Sequence, residues 1–221
     1  MTVLVACEES QEVTKAFRAL GHEAFSCDLL PCSGERPEWH LQGDVLSYLD
    51  NGWDLLIGHP PCTYLSYRGT AHWNKPGRLQ KRLKALQFFA ALWEAPIERI
   101  CLENPRSCAS PTIAKYTQEI QPYYFGDPEM KTTWLWLKNL PPLKYTKPSM
   151  STLFELPSTA VAKPEPTYTD LSGKKRYFTD AIGGYHGEGN STLKRAKTFP
   201  GIARAMAEQW GGKHFKPKQT T

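Results

Sequence analysis

Apolar positions along this chain recur with two periods, and the two alternate. Thr2–Ala6 is a short apolar run with the length and content of a buried strand. Gln11–Leu20 then carries Val13, Ala16, Phe17 and Leu20 on one helical face, with Gly21 placed to end it. His22–Cys27 reads as a second strand, closed by Asp28. A polar, Pro-containing loop runs to His40, and Gly43-Asp44-Val45 precedes a short helical turn over Leu46–Leu49. Trp53–Gly58 is another buried strand. Leu79–Ala95 places Leu83, Leu86, Phe89, Ala90 and Trp93 at helical spacing, and Ile100–Glu103 is the next strand. A helical turn follows Pro111, and Lys131–Leu137 alternates as a late strand. Ile202, Ala203, Met206, Ala207 and Trp210 stripe a closing helix over Gly201–Trp210. Strands alternating with helices predict an α/β fold with a doubly wound, mostly parallel sheet.

The pattern breaks between residues 139 and 195. Pro141, Pro142, Pro148, Pro157, Pro164 and Pro166 fall there, with many Ser and Thr and the run Gly183–Gly189. This reads as a small loop-rich insertion. It separates a catalytic core over 1–138 from a closing helix of that core within 196–212, and a flexible tail over 213–221 follows. A chain of 221 residues, 40% hydrophobic, suits one α/β domain with such an appendage. No run approaches the ~20 apolar residues that span a bilayer, so no membrane partner is predicted. Met1–Ala6 lacks the features of a secretory peptide, and the expected location is the cytoplasm. The net charge of +5 is compatible with a polyanionic partner. None of the six cysteines forms a Cys-x-x-Cys pair or a cysteine–histidine cluster with zinc spacing, so neither a disulfide framework nor a structural metal is expected. Cys7, Cys27 and Cys101 read as small apolar residues of the strands.

The chemistry is concentrated in two loops. Gly58-His59-Pro60-Pro61-Cys62 follows one buried strand, where open α/β sheets place their reactive groups. The prolines stiffen the loop. Some forty residues later Ile97–Leu102 ends in Glu103-Asn104-Pro105. A thiol and a carboxyl on parallel strand ends form a candidate nucleophile and acid pair. His59 could orient the loop or be a structural, hydrogen-bonded histidine.

Pro60-Pro61-Cys62 paired with Glu103-Asn104-Pro105 resembles the DNA cytosine-5 methyltransferases, in particular the short members carried by phages and prophages. The likeness runs from about residue 3 to residue 211. It implies a Rossmann-like, S-adenosylmethionine-dependent methyltransferase fold, in the host cytoplasm if the chain is phage-encoded. It implies Cys62 as the nucleophile at carbon 6 of a pyrimidine and Glu103 as the contact to ring nitrogen 3. It further implies Pro61, Asn104 and Arg68 on the substrate side. Lys131 would be the one cation left where the family carries a Gln-x-Arg-x-Arg motif.

For the cofactor, S-adenosyl-L-methionine, the resemblance implies that Ala6, Cys7 and Glu8 cradle the methionine part. Asp28, with Leu29 beside it, would take the ribose, Asp44 the adenine amino group and Val45 the ring face, with Pro60 near the methyl. The chain departs from the family at Ala6–Gln11, which has no glycine where Phe-x-Gly-x-Gly is usual. Glu8 and Glu9 could instead meet the donor's positive charges. Arg68, Lys75, Arg78, Lys81 and Arg82, interleaved with Tyr67, His72 and Trp73, would hold phosphates and stack on bases of DNA, and Arg195 and Lys197 could touch backbone phosphate. Two other readings stay open: an enzyme on free pyrimidine nucleotides, and a nucleic-acid-binding homologue that has lost its cofactor.

Overall fold

A computed structural model describes residues 1–145, 159–169, 173–177 and 197–212. Seven strands build one sheet: β1 (Thr2–Ala6), β2 (Glu23–Asp28), β3 (His40–Gln42), β4 (Leu55–Gly58), β5 (Arg99–Asn104), β6 (Gln118–Ile120) and β7 (Thr133–Lys138). Their spatial order is β3-β2-β1-β4-β5-β7-β6. Neighbours from β3 through β5 pair in parallel, and β7 runs antiparallel to both β5 and β6. The expected doubly wound, mostly parallel sheet is therefore the one found.

Side chains of β1 alternate between two cores, as the strand period of two requires. Val3 and Val5 face a layer built by Val13 and Phe17 of α1 (Glu12–Ala19) with Ile202, Met206 and Trp210 of the closing helix. Leu4 and Ala6 face the opposite layer, where Phe89 and Leu92 of α2 (Arg78–Trp93) pack with Leu102 and Trp136. Burial on both faces explains why β1, β4 and β5 read as unbroken apolar runs.

Several expectations are corrected in detail. β3 and β6, three residues each, fall where the sequence read as loop or turn, because so short a strand shows no period. Leu79 and Leu83 of α2 are half exposed; the buried side of the helix is carried by Phe89 and Leu92 near its C-terminal end. After β5 a four-residue helix, α3 (Ala109–Thr112), contains Pro111, where the sequence placed a helical turn after that proline. In the insertion, β8 (Tyr168–Thr169) pairs antiparallel with β9 (Lys175–Arg176). Thr159 Oγ1 and Val161 N–H donate to the carbonyls of Tyr124 and Tyr123. Gly183–Gly189 and the 213–221 tail lie outside the described residues.

The closing helix, α4 (Pro200–Gly211), is seated by close backbone approach. Gly201 N–H donates to Asp127 Oδ2 at 2.8 Å. A Cβ built on Gly201 would lie 2.1 Å from the Phe125 carbonyl oxygen. Gly201→Ala should therefore push α4 off the sheet and destabilise the protein by about 3 kcal/mol, a strong overpacking effect. A urea titration checks this; an unchanged midpoint would mean that the helix is not held there.

Candidate active site

The strand order reverses between β1 and β4, and a crevice outside the carboxyl ends of strands at such a switch point is where open sheets bind ligands. The loop after β1 and the Pro-Pro-Cys loop after β4 flank this crevice, and β5 lies next to β4. The register pairs Gly58 with Leu102. His59 therefore emerges beside Glu103, and Pro60 beside Asn104. Two side-chain bonds exploit this. His59 Nδ1 donates to Glu103 Oε2 at 2.8 Å, and Asn104 Nδ2 donates to the Pro60 carbonyl at 2.6 Å. A backbone bond from His59 N–H to the Ala6 carbonyl at 2.9 Å ties the same loop to β1.

Cys62 sits at the exposed tip, with Pro60 buried and Pro61 exposed before it. Its carbonyl accepts from Leu65 N–H at 3.0 Å and Ser66 N–H at 2.9 Å, which starts a turn. The chain beyond is sewn to the exit of β5: Tyr67 N–H donates to the Arg106 carbonyl, Cys108 N–H to the Leu65 carbonyl and Tyr67 Oη to the Ser110 carbonyl. The thiol loop thus rests on a fixed base.

Glu103 is 8% exposed. Burial pushes its carboxyl up, but the Lys131 cation and the His59 hydrogen bond and charge outweigh this and hold it down at about 2. Lys131, just before β7, is thereby brought to Glu103, and its ammonium also lies 5.6 Å from the Phe199 ring centre. Arg68 stands apart on a 3-10 turn over Tyr67–His72, its N–H donating to Ser66 Oγ. It is not joined to Glu103 by any hydrogen bond among the described residues.

Around the β1 and β2 ends the placement is mixed. Asp28 accepts from Leu30 N–H through Oδ1, and among the described residues nothing bonds Oδ2. Leu29 beside it is 72% exposed. Asp44 is exposed and caps a 3-10 turn over Val45–Tyr48 through Leu46 N–H. Cys7 lies near both aspartates, at φ 59°. Burial, then Asp28, Cys27 and Asp44, push its thiol far up, so it is inert. Cys27 is pushed up to about 12, mainly by burial.

Two expectations for this region are corrected. Val45 is buried in the core beneath α2, so its side chain is not offered to an adenine ring. Glu8 does not face a ligand's positive charge. It is buried at the N-terminus of α1, where its oxygens accept from Val13 N–H (2.7 Å), Thr14 N–H (3.2 Å) and Thr14 Oγ1 (2.7 Å). Burial raises the pKa of this carboxyl, opposed by His59, Thr14 and the α1 amides, and its oxygens take the orphan donors of the helix. Glu9 bonds Ser33 through its side chain and its carbonyl. Gln11 clamps Arg36 at both its N–H and its carbonyl. Residues 33–36 thus strap across the loop that follows β1. Gly34 is obligatory in this strap, since a Cβ there would lie 2.5 Å from the Ser10 carbonyl oxygen.

On the outer side of the thiol loop, aromatic rings and cations interleave as expected. Arg78 and Lys81 lie over Tyr64, and Arg82 lies 4.1 Å over Trp73. Tyr67 touches Trp73 and Trp134, and Trp134 stacks on Tyr116 at 4.0 Å. Lys197 is exposed, and Arg195 lies outside the described residues.

Among solved structures the chain is similar to an E. coli prophage-encoded protein described as a DNA modification methyltransferase (12% identity, 62% of this chain and 46% of that one, TM-score 0.41). It is also similar to the S. pombe Dnmt2 methyltransferase (17%, 62% and 48%, 0.41) and to the Entamoeba histolytica methyltransferase EhMeth (10%, 85% and 61%, 0.45). The chain spans less than two thirds of the length of each. No family model and no curated protein matches the sequence. Five parallel strands in the order β3-β2-β1-β4-β5, completed by antiparallel β7 and then β6, define the sheet independently of these likenesses. It is the S-adenosylmethionine-dependent methyltransferase fold. Such a fold does not by itself fix an activity, which has to be read from the side chains at its switch point.

Sequence reasoning weighed His59 mainly as a structural residue and did not pair it with Glu103. The available signal was its position one residue past β4, level with Glu103 one residue past Leu102. The strap over 33–36 had a weaker signal in Gly34.

Proposed function

We propose that this protein is a pyrimidine carbon-5 methyltransferase acting on cytosine in DNA through a covalent Cys62 adduct. The observation that carries the reading is the pair of bonds from the end of β5 to the loop after β4. They hold Glu103 and the Cys62 loop on one crevice edge, 41 residues apart in sequence but on adjacent strand ends.

The residues present fit the nucleoside half of S-adenosylmethionine. Asp28 offers a ribose diol a carboxylate oxygen with no bond among the described residues, and exposed Leu29 offers an apolar surface beside it. Asp44 is exposed nearby for an amino group. The N-terminus of α1 is filled by Glu8, so the donor's carboxylate must be received elsewhere. When bound, this donor supplies an electrophilic methyl group. The chain's own residues do the rest. A base leaves its stack, as chemistry on a ring carbon requires. The Cys62 thiolate adds to carbon 6 and makes carbon 5 nucleophilic. Glu103 engages the ring edge at nitrogen 3, with Lys131 beside it. Loss of the carbon-5 proton to water re-forms the ring double bond as the thiolate departs with the Sγ–C6 pair, which restores Cys62. Asn104 keeps the proline loop closed, and the ladder of Tyr64, Tyr67, Trp73, Arg78 and Arg82 supplies stacking faces and phosphate contacts outside the crevice.

Incubating the protein with methyl-labelled S-adenosylmethionine and either duplex DNA or deoxycytidine monophosphate tests this directly. Label in 5-methylcytosine from the DNA arm is expected. Label in neither arm would overturn the reading, and label only in the nucleotide would move the substrate to free pyrimidines.

A further inference from the structure

His59 is a buried histidine bonded to a buried carboxylate. Its side chain is 8% exposed and that of Glu103 9%. Nδ1 is committed to Glu103 Oε2 at 2.8 Å, while Nε2 is buried without a hydrogen-bond partner among the described residues. Glu8, after β1, lies close enough for His59 to act on its carboxyl. Lys131 approaches Glu103 from the segment before β7. Thr198 Oγ1, ahead of α4, lies 3.5 Å from Nδ1. These are the titratable and polar groups that face the pair from the packed elements.

Glu103 stands as a carboxylate in this setting, with one oxygen already occupied. An ionised carboxylate only accepts hydrogen bonds. Cytosine nitrogen 3 is also an acceptor, so for Glu103 to protonate it a proton must first reach the glutamate.

We propose that His59 is the proton store for Glu103, passing its Nδ1 proton across the 2.8 Å bond to the carboxylate as the ring nitrogen becomes basic. This rests on the carbon-5 reading above and assigns the residue that sets the protonation of its acid. The Sγ–C6 bond forms as the C5–C6 π pair moves through the ring toward nitrogen 3. Nitrogen 3 takes its proton from the Glu103 carboxyl group, and His59 is left neutral. On elimination the thiolate leaves with the Sγ–C6 pair, the electrons displaced into the ring return to restore the C5–C6 double bond, and the nitrogen-3 proton goes back through Glu103 to His59.

The test needs no methyl donor. A thiolate adduct at carbon 6 lets carbon 5 take a deuteron from D2O and release its own proton to solvent on elimination. Deuterium at carbon 5 of cytosine in an oligonucleotide, read by mass spectrometry across pH, therefore reports addition alone. The wild type should exchange. His59→Asn keeps an N–H donor near the Nδ1 position and cannot relay a proton. It should melt close to the wild type and lose exchange by about 100-fold with little change in KM. Exchange at the wild-type rate in His59→Asn would make His59 a structural tie and overturn the proposal. No exchange in the wild type, with Cys62→Ala as control, would instead remove the carbon-5 reading on which it rests.

Discussion

Cys62→Ala will lose methyl transfer by about 10⁴-fold or more, as removal of a covalent nucleophile does, while its thermal midpoint stays within about 2 °C of the wild type. The two halves of this expectation have separate causes. The thiol is at the exposed tip of the loop. What anchors the loop is main chain and neighbours: the Cys62 carbonyl to Leu65 and Ser66, the Pro60 carbonyl to Asn104, and Leu65 and Tyr67 to the exit of β5. Truncating the side chain removes no apolar contact of either core and leaves these bonds in place. Transfer from labelled donor and a circular-dichroism melt measure the two quantities on one sample. A variant that folds and still methylates would exclude the covalent route, whatever the fold.

Glu103→Gln will be costly in both stability and activity. The substitution is nearly isosteric, but it removes the negative charge that lies between Lys131 and His59. Breaking a buried charge pair by deleting one partner costs about 3–5 kcal/mol where the other is left uncompensated. The pH dependence gives an internal check. The folded carboxyl is held at about 2, against an ordinary value of 4.5. A depressed acid contributes stability that is fully present above the unfolded value and is lost as pH falls through the folded one. The shift corresponds to on the order of 3 kcal/mol. The stability difference between wild type and Glu103→Gln should therefore be full at neutral pH and shrink as the pH falls from 4.5 toward 2. Urea titrations at several pH values read it; a difference that stays constant would mean the charge does not carry the effect. Catalysis should fall about 10²–10⁴-fold, the usual contribution of a positioned acid, because the amide can neither accept the His59 proton nor deliver one to the ring.

The loop after β1 explains how a methyltransferase fold can lack its usual glycines. Glycine there lets backbone approach a ligand. In this chain the corresponding space beside α1 is spanned by the chain itself: Glu8 satisfies the first amides of the helix, and the strap at 33–36 closes over Ser10 and Gln11. Asp28 is half-buried and Leu29 and Asp44 are exposed, so these residues remain accessible to the nucleoside half of a donor.

The primary structure alone determined the alternation of strands and helices. β1, β4 and β5 are buried on both faces and must be apolar throughout, and α1 and α4 carry stripes set by the helical period. It also determined which two loops hold a thiol and an acid, because the motif residues are local. Only the tertiary structure decided what these side chains meet. β3 and β6 are too short to show a period and exist because a neighbouring strand offers free hydrogen bonds. Val45 and the two exposed leucines of α2 have sides chosen by where the sheet ends, which no local pattern records. Glu8 became a helix cap through the path of the chain from β1 into α1. The His59–Glu103 contact spans 44 residues and follows from the register of two parallel strands. Register is a property of the pair, so neither strand's sequence contains it.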